Sequence, residues 1–464
     1  VVIDRIRSAL NIAAIQIYAR HVAAAGVRRA LASEPMRRRP ASSLSDSGED
    51  SILKPYRVVG LLFCFGWLAW AVATARKLRP DVGDKTYVLV FSWGVLMALF
   101  WHVVEGNNLD YTKQGLPLIV FGLATYIAIK DIGLSEKEIE GILIVYTCTQ
   151  LLAIVLSQQI LGDIAGRMKG FYKNPNQLGV AAALCFIFLL YQFLFRPRPT
   201  LPFQVIRAVT AAAMGALIAL SGSRGGTAAA LAGTLVLLYA LLRTRRDARS
   251  GLPRVLALLA VFGVIALASL SRFQAAWEQT DSQIRFEEDV ARDGAQERWE
   301  LWVSGVNVGI DHYGLGVGSM QYLSYHLDSA KQLRHQVSSA DRTLGTHSDY
   351  VDLFASYGLL GLFAFLRYAW IRVRSLRAGL TASAHSERTT MLPLGLALLA
   401  ATMFIMVSQN SFTGGEHFLT MALVDSVARL PFAAATNAHA ASPAPARKQL
   451  AVATAHLAHR GGRR

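Results

Sequence analysis

The chain has 464 residues, 53% of them hydrophobic and 17% charged, with a formal net charge of +16. That balance is too apolar for an ordinary soluble enzyme, and several nearly uncharged runs of about twenty residues have the length of a helix crossing the hydrocarbon of a bilayer. No ten-residue alternating segments suggest a barrel, and no recognition motif accompanies the positive charge, so no nucleic acid partner is expected.

In chain order, residues 9–25 are a poor span, interrupted by Arg20 and His21 and followed by Arg28, Arg29, Arg37, Arg38 and Arg39. This segment reads as a first span or as a surface helix rather than a cleaved signal. The Ser-rich 41–51 is a linker. Clear spans are predicted at 57–75, 86–104, 114–130, 139–160, 178–195, 204–221, 226–242, 252–270, 348–371, 391–408 and 416–433. Cys64, Cys148 and Cys185 fall inside apolar runs and read as small core residues, not as disulfide or metal ligands.

Loop charge sets the expected orientation. The loops carrying Arg76/Lys77/Arg79/Lys85, Arg196/Arg198/Arg207, Arg243–Arg254 and Arg372/Arg374/Arg377/Arg388 are basic and predicted cytoplasmic. The alternate loops, including a polar stretch of roughly seventy residues from Ser271 to Leu344, then face outside. The expected architecture is an all-α polytopic membrane protein of about twelve transmembrane helices, with one large outer loop before the last three spans. Its divisions are an N-terminal segment 1–56, a bundle 57–270, a loop domain 271–347, C-terminal spans 348–433 and a disordered cytoplasmic tail 434–464.

Four outward stretches carry candidate chemistry. Gly166–Asn176 holds Arg167, Lys169 and Lys173 on the side where the positive-inside bias disfavours them, and its Asn174 and Asn176 flank Pro175 in a helix-capping arrangement. Ser221–Gly226 is a small-residue turn whose amides could cradle an anion beside Arg224. In the long loop, apolar residues 299, 302, 303, 306 and 310 have helical spacing and predict one buried face that takes the tryptophans into the core, with Arg298 at its edge. Gly314, Gly316 and Gly318 then make an irregular turn. Finally, Thr346-His347-Ser348-Asp349 opens the next span: Thr346 is a plausible N-cap and Asp349 its capping-box acid, which leaves His347 as the group suited to proton transfer near neutral pH. His312, His326 and His335 share the loop but lack metal-ligand spacing.

Taken in order, Asn-Pro-Asn-Gln-Leu-Gly, Ser-Arg-Gly-Gly, Arg-Trp-Glu-Leu-Trp, Gly-Leu-Gly-Val-Gly-Ser and Thr-His-Ser-Asp-Tyr before Tyr-Gly-Leu-Leu-Gly resemble the O-antigen ligase and polymerase superfamily, over residues 57–433. Many members have Asn where this chain has Ser348. The resemblance implies a GT-C-like glycosyltransferase in the bacterial inner membrane with a periplasmic site. It would move O-antigen glycan from undecaprenyl pyrophosphate to lipid A–core, inverting the anomeric centre with no metal or other cofactor. It further implies that Arg224 and Arg298 bind the pyrophosphate with help from Arg167 and Lys169, that His347 is the general base, and that Asn176 and Asp349 support the site. The competing readings are an O-antigen polymerase or protein O-oligosaccharyltransferase, and an exporter of an anionic solute.

Overall fold

The computed structural model describes residues 81–106, 109–157, 175–196, 200–244, 284–322, 324–325, 345–383, 391–409, 411–412 and 414–441. The N-terminal segment, the linker, the spans 57–75 and 252–270, Cys64, Arg167, Lys169, His326, His335 and the tail beyond 441 lie outside the described residues. The elements are all helical, with no strand among the described residues: α1 (Val82–Glu105), α2 (Asp110–Ile132), α3 (Glu136–Ser157), α4 (Pro175–Phe195), α5 (Leu201–Ser221), α6 (Arg224–Thr244), α7 (Ile284–Asp311), α8 (Asp349–Ser383), α9 (Leu392–Ser408) and α10 (Gly415–Ala441). Six of them contain stretches long and apolar enough to cross a membrane: Val82–Glu105, Gly115–Ile132, Asn176–Phe195, Leu201–Ser221, Arg224–Arg243 and Asp349–Ala382. Leu392–Ser408 is apolar but shorter. This is a membrane protein built of helices.

Local chemistry sets several boundaries. Asp81 caps α1 by accepting the Asp84 amide at 2.9 Å, while the Asp84 carboxylate accepts the Asp81 amide at 2.8 Å, a closed capping box. Gly222, at φ +58°, ends α5. The next helix starts two residues later, with Ser223 as its cap: the Ser223 hydroxyl accepts the Gly226 amide at 3.0 Å. α10 runs on to Ala441, past the predicted boundary at 433. The alanine-rich sequence there favours helix over the disorder expected of the tail.

α4 and α9 form the middle of the bundle, and the first eight residues of α9 (392–399) are all buried. Small residues let the helices approach closely, as expected where lipid supplies no hydrophobic drive between them. A methyl group on Gly226 of α6 would meet the backbone of Gly179 in α4 at 2.6 Å, and one on Gly233 would meet Ile187 at 2.4 Å.

One end of the bundle is closed by a buried ionic cluster. Arg372 of α8 donates to both carboxylate oxygens of Asp81, at 3.0 Å each, and to Asp84 at 3.2 Å. Lys130 of α2 pairs with Asp84 and lies 3.4 Å from Asp425 of α10, while Arg429 reaches Asp81 at 3.3 Å. Tyr126 donates to Asp84 at 3.0 Å and also to Asp425, and Tyr368 donates to Asp425 at 3.3 Å. Loop charge assigned Arg372 to a solvated cytoplasmic loop, but it is buried, because α8 extends to Ser383 and carries it against α1.

Candidate active site

The opposite end of the bundle assembles the polar segments. α8 is one continuous element only in outline: Gly358, at φ +67° and ψ −171°, breaks it into two helical pieces. The break exposes carbonyls that the Gly314–Gly318 turn occupies. Val317 and Gly318 donate their amides to Ala355 and Ser356 at 2.9 and 2.8 Å, and Leu359 donates to Gly314 at 2.8 Å. The contact is backbone on backbone, since a methyl on Gly316 would stand 2.4 Å from the Gly358 nitrogen. Trp101 and Trp93 of α1 hold the same turn by donating to Gly316 and Leu315 at 2.8 and 3.1 Å, and the Ser319 amide donates to Gly94 at 2.8 Å. The predicted single span at 348–371 is thus two pieces sealed by the glycine turn.

α7 lies against the first of these pieces, but not by the face the spacing predicted. Leu301, Ser304 and Val308 are buried, whereas Trp299 is 64% and Ile310 60% exposed. Gly305 and Gly309 explain the choice: methyl groups there would meet Val351 and Phe354 at 2.5 Å, so the small residues set the face of closest approach. The expected packing of Trp299 in the core is therefore corrected.

His347 sits two residues before α8, half-buried and in the left-handed region at φ +53°, a conformation uncommon for a residue with a Cβ. Its neighbours hold it there. Thr346 and Ser348 are buried, the Thr346 hydroxyl donates to the Ser348 carbonyl at 2.7 Å, and the Ser348 hydroxyl reaches the Met406 carbonyl at 3.5 Å. Burial first, and then the positive charge of Arg298 on α7, push the pKa of His347 below its ordinary value. Asp349 does not close a capping box with Thr346. Its buried carboxylate accepts the Ser411 amide and hydroxyl at 2.8 and 2.7 Å and the Phe412 amide at 3.0 Å, tying α8 to the α9–α10 connection.

Arg224 is the first residue of α6 and is exposed. Ser223 occupies the Gly226 amide, so an anion placed at this corner would meet the Arg224 side chain and the positive end of the helix dipole. The corner packs against two other elements at the same end. Ser223 donates to the Asn176 carbonyl at 3.4 Å, and a methyl on Gly225 would meet Ser408 at 2.5 Å and Gln409 at 3.1 Å. The last turn of α9, from Met406 to Gln409, therefore touches both the His347 turn and the Arg224 corner. Arg298 reaches the same region through its charge on His347. The sequence reading overlooked Ser408, Gln409 and Ser411; the signal available was a polar run, Ser408 to Ser411, between two apolar spans.

Residues 209–366 match a family model described as O-antigen ligase. That stretch, about a third of the chain, is similar to the O-antigen ligase family. It contains Arg224, Arg298, the glycine turn and His347, and excludes Asn176 and the α9–α10 connection. No curated protein matches the chain.

His312, the described member of the three loop histidines, is a satisfied core residue. Its Nδ1 lies 2.7 Å from the Val308 carbonyl and its ring packs edge-on against Trp101 and Tyr325. No cluster of three metal-ligating side chains occurs among the described residues.

Proposed function

We propose that this protein transfers O-antigen glycan from undecaprenyl pyrophosphate to lipid A–core on the periplasmic face of the bacterial inner membrane, with His347 as general base. The observation that carries this reading is the placement of a half-buried histidine, held toward its neutral form by burial and by Arg298, at the end of the bundle where Arg224 opens α6. A neutral imidazole can take a proton near pH 7; an imidazolium cannot.

In the proposed step the acceptor hydroxyl oxygen attacks the anomeric carbon of the glycan. The bond from that carbon to the pyrophosphate oxygen breaks with inversion. The hydroxyl proton passes to His347, and polyprenyl pyrophosphate leaves as an anion needing little protonation. Arg224 and Arg298, with Arg167 and Lys169, stabilise the developing negative charge with fixed guanidinium and ammonium groups, the role a divalent metal plays in other pyrophosphate chemistry. Asn176 supports this end through its main chain, whose carbonyl accepts from Ser223, and Asp349 through the contacts that hold the start of α8. A bundle of apolar helices around the site admits both lipid substrates from the bilayer.

The test is incubation of purified protein with undecaprenyl-pyrophosphate glycan and lipid A–core, with and without chelator. Transfer to core that survives chelation supports the proposal. Growth of the lipid-linked glycan without transfer indicates the polymerase reading instead, and loss of activity on chelation refutes the metal-free step. His347→Ala should lower turnover by about 10²–10⁴-fold while donor binding persists.

A further inference from the structure

The glycine turn after α7 lies deeper in the bundle than a loop outside the membrane should. Ser319 donates its amide to Gly94 and Trp101 donates to Gly316, so the turn sits beside residues 94–101 of α1. Those residues stand about 6–16 Å inward of Glu105, the last residue of α1, at 1.5 Å per residue. On its other side the turn meets Gly358, about 13 Å into α8 from Asp349. The chain then comes back out: Tyr325 donates to the Glu105 carboxylate at 2.8 Å, level with the end of α1.

α7 is the inward arm. Methyl groups on Gly305, Gly309 and Gly314 would meet Val351, Phe354 and Leu359 in that order. α7 and the first piece of α8 therefore run side by side in the same direction, inward from the His347 end. The outer face of α7 is apolar. Trp299, Val306 and Ile310 are exposed, and at about 100° per residue they fall within an arc of about 40°. That stripe lies opposite the buried Leu301, Ser304 and Val308, with Glu300, Asn307 and Asp311 along one flank. A helix standing in water would turn polar residues outward, whereas this one buries one apolar face and exposes another.

We infer that residues 299–325 form a re-entrant segment, with the outer stripe of α7 against the acyl chains of the leaflet at the His347 end and Trp299 at the headgroup boundary. Continuity identifies the occupant. Beyond Ile310 the stripe passes through the exposed Tyr313 and Leu315 to Leu359, Leu360 and Phe363, which are exposed on α8, a helix apolar enough to span. The turn also meets the condition for irregular backbone at membrane depth, which is tolerated only where protein satisfies it. Residues 316–319 are buried, and the amides of Val317, Gly318 and Ser319 donate to carbonyls of α8 and α1. Trp299, with an apolar ring and one N–H, suits the boundary between chains and headgroups. The expected outer loop 271–347 is thus partly inside the membrane.

The experiment is power-saturation electron paramagnetic resonance on the full chain in phosphatidylcholine nanodiscs, with Cys64, Cys148 and Cys185 replaced by Ala. A nitroxide is attached at Trp299→Cys, Ile310→Cys or Phe363→Cys in turn, and its collisions with oxygen and with a water-soluble nickel chelate are measured. The ratio of oxygen to nickel collisions at 310 should exceed that at 299 several-fold and approach that at 363. A ratio at 310 no higher than at 299 places the stripe in water and overturns the assignment. Protection of 310 from both reagents also overturns it, in favour of a second protein surface. If Ile310→Cys fails to fold, Val306→Cys lies on the same stripe and carries the same outcomes. None of these readouts depends on glycan transfer.

Discussion

At the residue scale, two features of His347 act in the same direction, burial and a neighbouring cation. Both hold the imidazole neutral in the free protein. A bound pyrophosphate would offset the charge of Arg298 and make His347 more basic, so the acid limb of kcat should lie at higher pH than that of kcat/KM. Coincident limbs would refute this coupling. In Arg298→Gln the kcat/KM limb should rise toward the ordinary histidine value. The sign for stability is the same: with its folded pKa depressed, His347 contributes stability above its unfolded pKa and loses it as pH falls. Backbone strain makes a separate prediction. At φ +53° a Cβ is disfavoured, so His347→Gly should be about 1–2 kcal/mol more stable than His347→Ala by thermal unfolding, both being inactive.

At the element scale, the site depends on how α7 and the broken α8 meet. The face of α7 used for packing is set by Ser304, Gly305 and Gly309, not by its bulkiest side chains. Leu301→Ala should therefore destabilise the protein by about 2–5 kcal/mol, while Trp299→Ala should stay within about 0.5 kcal/mol. Equal losses in a denaturation series would show that the spacing-based face is the packed one. The helical spacing of α7 was legible in the sequence, as were the glycines of the turn. What they pack against was not, because hydrophobic periodicity ranks faces by bulk, whereas close helix contact selects for small residues.

At the scale of the whole molecule, polar groups are sorted to the two ends of an apolar bundle. At the ionic end, Asp81 is partly exposed; burial raises its pKa, but Arg372, Lys130 and Arg429 outweigh that and hold it at about 2. A depressed carboxylate contributes stability above its unfolded pKa and loses it as pH falls through the folded one. The unfolding temperature should therefore drop between about pH 4 and pH 2, and Asp81→Asn should flatten that dependence. An unaltered profile in the variant would remove Asp81 from this role.

The sequence by itself determined the class of the protein, most helix positions, and the residue types able to handle an anion and a proton, because hydropathy and composition are local properties. It also contained Asp425 inside an apolar run, an unread sign of the ionic cluster, since a lone carboxylate there needs partners. Only the tertiary structure decided that Asp349 serves the α9–α10 connection, that the last turn of α9 joins the His347 and Arg224 segments, and that Arg372 is internal. Each of those facts joins residues dozens to hundreds of positions apart, and such pairings follow from how helices pack, which no local pattern along the chain encodes.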